Sequence, residues 1–530
     1  MKLKKIVSLL LVSALSISCM FSMVGCKSTD SDGKKVDSDE ENVINIYALK
    51  KGYGLDWLDA LIEGFEEKYP EYEVHYKWTV EDKAILNELD MDETVYDLLI
   101  SGSTCASDIA KQLKGTVNKF ESLKGVYEST PDGESTTVKD KMSEEVHDLF
   151  AWETESGDTD YYTFPWAGGA NALLYHDSVF KEVFGENYQL PRTSDELLEV
   201  CNALTKAGKV PFILSSNADS YYFMYETWWA QYEGMESVTD FYDGKYYDEE
   251  EGMKLRGVKC FKQDGRTAAI NTLNQFVGKD SAYVYEGCED LSWQNVQTYF
   301  MDERVAMFPN GDWNNIEMSK SFPDNSVRMM RVPVVSDLAD KLGITEDNLR
   351  DLIDYVDGVK KEVPAFSSSV GMSSEEVIAS VTEARKLVFS FIGDFTACVP
   401  QKSNAKEAAK KFLTYMASDE GLKAYAKVQQ GLTLPFNYDM KADEALYASF
   451  NDFSKSVIDI MSDCVIYRQS YKTVLSRTYM IPFREEMGSS IEIKLYTGSM
   501  TAQDIIDSDY NYYTKNNNQA WNKLLKDAGL

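Results

Sequence analysis

The chain has 530 residues, with 87 acidic against 54 basic side chains and a formal net charge of −33. A field of that sign repels nucleic-acid phosphates and anionic ligands from most of the surface, which excludes nucleic acid as a partner and argues for a neutral or cationic ligand. A hydrophobic content of 44% is ample for buried cores, and the length exceeds what one ordinary core fills, so two domains are expected.

The first elements are those of export. Lys2, Lys4 and Lys5 make a short positive head, and Ile6 to Val24 is an almost uncharged run rich in Leu, Val, Ile, Ser and Met. Basic head, apolar middle and a small residue at the cut are the layout of a secretory signal. Met23-Val24-Gly25-Cys26 resembles a bacterial lipobox, with Met23 where Leu is usual. That resemblance implies cleavage after residue 25 and a diacylglycerol on the Cys26 thiol. Ser16-Ile17-Ser18-Cys19 is a weaker second candidate, and an uncleaved anchor is the alternative, because the apolar run is just long enough to cross a bilayer. Residues 26–42, dominated by Ser, Asp, Glu, Lys and Gly, offer no apolar face and read as a flexible tether.

Beyond the tether the pattern alternates. Val43 to Ala48 reads as a strand, Lys50 to Gly54 as a loop, and Trp57, Leu58, Leu61, Ile62 and Phe65 recur at helical spacing up to Pro70. Tyr72, Val74, Tyr76 and Trp78 alternate with polar residues as a second strand, and Tyr96 to Ile100 is a third, broken by Ser101-Gly102-Ser103. Strands separated by helices predict parallel pairing and a layered α/β lobe. A second α/β stretch begins near Tyr161. There Thr193 and Glu196 have the spacing of a capping box, Leu197, Val200, Cys201 and Leu204 supply the helix's buried face, and Gly208 ends it. Val210 to Leu214 is the next strand, and residues 219–232 are dense in aromatics. Residues 337–390 read as mostly helical. Ala405, Ala408, Ala409, Phe412, Leu413 and Met416 mark an amphipathic helix that Asn404 and Glu407 could cap, and from Tyr447 onward the chain reads as helices joined by polar loops. Six cysteines follow Cys26, namely Cys105, Cys201, Cys260, Cys288, Cys398 and Cys464. No C-x-x-C occurs among them, so they read as small buried apolar side chains whose pairing spacing cannot reveal.

Five blocks, in order, resemble the extracellular solute-binding proteins of carbohydrate ABC importers. They are Phe65 to Pro70 before the second strand; Tyr162 to Gly169 followed by Leu173-Leu174-Tyr175-His176-Asp177; Pro191 to Leu198; Glu303 to Trp313, similar to "G-K-A-A-M-x-x-x-G-x-W"; and Asn404 to Gly421 followed by Gly431 to Pro435. The chain departs from the pattern at His176, where Asn is commoner, and at Ser194, where Trp is usual. The resemblance implies an α/β, two-lobed periplasmic-binding-protein-like fold. Lobe 1 would comprise 43–160 and 394–446, and lobe 2 would comprise 161–393 and 447–530, with 337–390 set apart as a helical insertion. The chain would cross between lobes near Trp166, near Gly393 and after about Tyr447. Solute would bind between lobes that close on it, and the closed monomer would dock on an ABC permease, held at the outer face of the membrane by lipid on Cys26.

A sugar presents apolar C–H faces to flat rings and hydroxyls to fixed donors and acceptors. The resemblance singles out Trp313, with Asp312 beside it to accept from hydroxyls, and places Trp166 at the first crossing. Tyr53 and Ser101, Gly102 and Ser103 lie in loops after strands, where turn chemistry alone could account for the serines and glycine. Tyr221, Tyr222, Trp228 and Trp229 cluster at helical spacing, half of them expected in the core. For all the tryptophans, core packing is the competing assignment. No cofactor or metal is expected: the three histidines, His75, His147 and His176, are scattered, and no nucleophile elbow, HExxH or phosphate loop appears. An exported glycan hydrolase, or a peptide-binding or sensory protein of the same two lobes, are the rival readings.

Overall fold

The computed structural model describes residues 41–530 except 104, 433, 468–489 and 529. The signal segment, Cys19, Cys26 and nearly all of the tether lie outside the described residues.

Strand β1 (Val43–Leu49) buries six of its seven residues, as a β-branched run flanked on both sides must. Helix α1 (Asp56–Lys68) carries Asp56 and Asp59 in its first turn and Lys68 in its last, both matching the helix dipole, and buries Trp57, Leu58, Leu61 and Phe65. β2 (Glu73–Thr79) and β3 (Leu98–Ser101) flank β1 in parallel, with Ile44 opposite Val74 and Ile46 opposite Leu98. This is the pairing that strand–helix–strand order predicts. The third strand begins at Leu98, two residues later than its pattern suggests.

The chain adds β4 (Phe164–Pro165) to this sheet and then leaves it. β5 (Ala170–His176), buried at every position, is the centre of a second sheet. β6 (Met307–Gly311) and β7 (Val327–Met330) pair antiparallel with it, as does β8 (Leu387–Ser390). β9 (Thr396–Cys398) returns to the first sheet between β3 and β4, and β10 (Val465–Tyr467) joins the second beside β8. The sheets run β2-β1-β3-β9-β4 and β6-β5-β8-β10, with β7 also on β5.

Helix α2 (Ser194–Lys206) starts where expected, with Thr193 Oγ1 accepting from Glu196 N, but the capping box is only half made. The Glu196 carboxylate turns instead to Arg192, taking its backbone N–H at 2.7 Å and its guanidinium, which also reaches Asp354 at 2.7 Å. A cation immediately before the cap is a stronger partner than a neutral amide. Val210 to Leu214 is no strand, although all but Val210 is buried: Phe212 makes one bridge, to Val284, and Pro211 has no N–H to give a ladder. The aromatic stretch forms α3 (Tyr222–Glu233).

Residues 337–390 contain helices Leu338–Leu342, Glu346–Val356 and Ser374–Lys386. The segment then ends in β8, so its last residues, from Leu387, form a strand rather than more helix. Helix α4 (Lys406–Met416) buries the expected stripe, yet its N-cap is Ala405 without a side-chain cap. α5 (Asp419–Val428) and α6 (Asp452–Met461) follow, and β10 interrupts the helical C-terminal region.

Candidate binding cleft

Two of the crossings between the sheets are bolted to each other. The first spans Trp166 to Gly169, between β4 and β5; the second spans Phe391 to Phe395, between β8 and β9. Trp166 N donates to Phe395 O at 3.0 Å and Phe391 N to Gly169 O at 3.0 Å. Gly169 has φ of 63°, a left-handed conformation that favours glycine. A Cβ there would meet the Phe391 backbone N and Cβ and the Phe395 ring, all at 3.1 Å.

Beside this hinge the lobes touch. Tyr53, in the loop after β1, donates its hydroxyl to Asp312 Oδ1 at 2.5 Å. Asp312, just past β6, also accepts from Ala170 N at 3.0 Å, and both Tyr53 and Asp312 are 3% exposed. Burial outweighs these hydrogen bonds and pushes the Asp312 carboxyl up to about 6. Burial, with the charge of Asp312, likewise pushes the Tyr53 phenol well above its ordinary range. Trp313 is half-buried, stacked on Phe391 at 5.9 Å and edge-on to Tyr53 at 6.2 Å and Phe223 at 6.3 Å. Its ring lies so close over Gly311 that no Cβ fits there.

Trp166 is 1% exposed, stacked on Trp57 at 5.2 Å, and donates its indole N–H to Ser101 O at 2.6 Å. It supports the cleft from beneath rather than facing it. Ser101, Gly102 and Ser103 are folded onto Asp82, whose carboxylate accepts from the Ser101 hydroxyl and Gly102 N, each at 2.8 Å, and from the Ser103 hydroxyl. Tyr222 reaches the hinge aromatics through Phe389 at 5.3 Å and Phe391 at 6.2 Å. The other three aromatics of that cluster lie in the core. Tyr221 donates to Ile213 O at 2.9 Å, while Trp228 and Trp229, both fully buried, donate to Pro333 O at 3.0 Å and Gln263 at 2.9 Å. Three of the four thus lie in the core, where about half were expected: α3 is buried on nearly all sides, so helical spacing could not separate a cleft face from a core face.

Several residues at the site carry no motif. Phe223, Phe391 and Phe395 complete the ring cluster. Gln429 donates to Tyr53 O at 2.8 Å, and Tyr425 packs on Trp57 at 5.6 Å. Among the described residues, three buried polar atoms here make no hydrogen bond: Trp57 Nε1, Tyr425 OH and Gln429 Oε1. Such groups are costly to bury unpaired, by about 1–3 kcal/mol each. A cavity of about 530 Å³ opens alongside, between Leu432, Phe436 and Met440 of the loop after α5 and Val457, Ile458 and Met461 of α6, with Gly168 and Asp312 completing the wall. Phe436 packs on Phe164 at 5.3 Å, whereas α6 packs on β7, so the cavity lies between the lobes.

Two α/β lobes, a paired hinge and an inter-lobe cavity beside converging aromatic and polar side chains define a two-lobed binding protein. The chain belongs to the bacterial extracellular solute-binding protein family, whose model matches residues 110–451. No curated protein sequence matches it. Among solved structures, the GacH receptor of Streptomyces glaucescens GLA.O, described unliganded and with acarbose, is similar over 92% of this chain and 98% of its own, at 14% identity and a TM-score of 0.54. A protein studied for xylan utilisation in Caldanaerobius polysaccharolyticus is similar over 89% and 99%, at 14% identity and 0.56. Apo RafE from Streptococcus pneumoniae is similar over 93% and 97%, at 15% identity and 0.52. At such identities the likeness is one of fold.

Proposed function

We propose that this protein captures a neutral sugar or oligosaccharide between its lobes and delivers it to the permease of an ABC importer. The observation that carries the reading is the inter-lobe meeting of Tyr53, Asp312 and Trp313 beside a cavity of about 530 Å³, a size that suits small organic ligands. The Trp313 ring offers a face for C–H groups; Asp312, Tyr425 and Gln429 offer an acceptor, a hydroxyl and an amide for sugar hydroxyls. Ligands of structural neighbours support the choice of sugar, since GacH is described with acarbose and RafE with raffinose. Binding drives closure to the extent that ligand prefers the closed arrangement. In this reading residues 1–25 are removed, Cys26 is lipidated, and 26–42 tethers the two lobes at the outer face of the membrane. The lobes would divide at the bounds given by the sequence.

The test is a titration of the purified full chain with sugars, oligosaccharides, amino acids and peptides, followed by tryptophan fluorescence. Saturable quenching or enhancement by glycans is expected. Saturation by peptides with no glycan response would overturn the sugar assignment, and release of shorter sugars on incubation would overturn the binding-protein reading.

A further inference from the structure

All six cysteines among the described residues are free thiols in the structure, and five are buried. Two of them meet. β9 runs antiparallel to β3 with Cys398 opposite Leu99. β3 ends at Ser101, and the chain turns at once into the helix Ala106–Leu113, with Cys105 at its N-cap. That turn returns Cys105 to the small apolar cluster that holds Cys398, with Cys105 the foremost side-chain neighbour of the Cys398 thiol. Both sit in one small apolar cluster with Leu49, Leu99 and Phe120, at 9% and 2% exposure. The two segments are held together independently of the sulfurs, since Thr396 Oγ1 donates to Ser103 O at 3.3 Å.

We propose that Cys105 and Cys398 are joined by a disulfide in the exported protein, bracing the lobe-1 end of the hinge. The family is extracellular, and disulfides persist where no thiol pool reduces them. The oxidant is an exchangeable disulfide, met while the chain folds outside the cytoplasm. One cysteine thiolate attacks it and forms a mixed disulfide, releasing the first oxidant thiolate. The second cysteine then displaces the other. Two thiols become one S–S bond, and the oxidant's disulfide becomes two thiols, with no proton or electron unaccounted for. The tie has a structural purpose. The first sheet is discontinuous in sequence, with β9 arriving from the far side of the second lobe, directly after the Phe391–Phe395 crossing. A covalent link between β9 and the loop after β3 holds together the parts of a sheet whose loop closure is longest. It also fixes the loop whose Ser101 carbonyl anchors Trp166.

The full chain, exported through an oxidising secretory route, is denatured in excess alkylating reagent without reductant, digested and mapped by mass spectrometry. A Cys105–Cys398 linked peptide pair is expected, with Cys201, Cys260, Cys288 and Cys464 alkylated directly. Direct alkylation of Cys105 and Cys398, or linkage of either to another cysteine, would overturn the assignment. Reductant should lower the thermal midpoint of the wild type by several degrees and leave that of Cys105→Ser/Cys398→Ser unmoved. A wild-type midpoint indifferent to reductant would overturn the bracing role. Neither measurement involves a ligand, so the outcome is separate from the sugar-binding reading.

Discussion

Asp312 is a carboxyl held in a place that disfavours its charge. Its ordinary value of 3.8 is raised to about 6 by burial, despite the hydrogen bonds from Tyr53, Ala170 and Trp313. Between those two pH values the folded protein holds a proton that the unfolded chain has lost. Folding is therefore relatively stabilised as pH falls from about 7 toward 4, by up to about 3 kcal/mol for a shift of roughly two pH units. In Asp312→Asn this component is gone. The difference in thermal midpoint between wild type and Asp312→Asn should thus grow in favour of the wild type on going from pH 7.5 to 5. A difference that stays flat over that window would show that the carboxyl is not held as described. At Trp313 the expected readout is affinity. Truncation to Ala removes a half-buried ring stacked on Phe391, and loss of an aromatic contact with ligand costs about 1.5–3 kcal/mol, a roughly ten- to hundredfold rise in Kd. Unchanged Kd for a bound oligosaccharide in a folded Trp313→Ala protein would remove it from the site. Trp313 and Asp312 could be found from their motif. Tyr425, Gln429 and Trp57 could not, because each sits on a helix or at its end as an ordinary buried residue, and only the packing of α1 against α5 brings their polar atoms to Tyr53.

The crossings set the behaviour of the elements. Gly169 combines a left-handed φ with close approach of Phe391 and Phe395, so Gly169→Ala should lose at least about 1 kcal/mol in urea unfolding. A variant as stable as wild type would mean that the two crossings separate easily. The N-cap of α2 gives a smaller effect: Thr193→Ala should cost about 1 kcal/mol, read as a lower urea midpoint at unchanged slope. Helix periodicity was legible wherever an element has one buried face, as in α1 and α4. Periodicity failed in two kinds of place. β8 and β10 are three- to four-residue strands inside the second sheet, too short to show a period of two. α3 is buried around most of its surface, so its apolar residues mark no single direction.

For the molecule as a whole the question is closure. Gly52, three residues beyond the end of β1, faces the other lobe so closely that a Cβ would meet the Glu317 carboxylate at 2.9 Å and Trp313 at 3.1 Å. Gly52→Val should wedge the lobes apart, giving a larger radius of gyration by small-angle scattering and weaker ligand binding, with little change in unfolding midpoint. An unaltered scattering profile would show that these contacts do not limit closure. The sequence by itself determined the α/β layering, the order of the elements and the pairing of β1, β2 and β3, because these depend on local composition and on patterns a few residues long. It also marked Asp312 and Trp313 through a contiguous block. Only the tertiary structure decided which aromatics meet the cleft and which fill the core. It also decided which strands return to which sheet, and that Tyr53 closes on Asp312 across the lobes. Those outcomes depend on which side of an element faces a partner hundreds of residues away, and a buried ring in the core and a buried ring at a hinge have the same sequence signature.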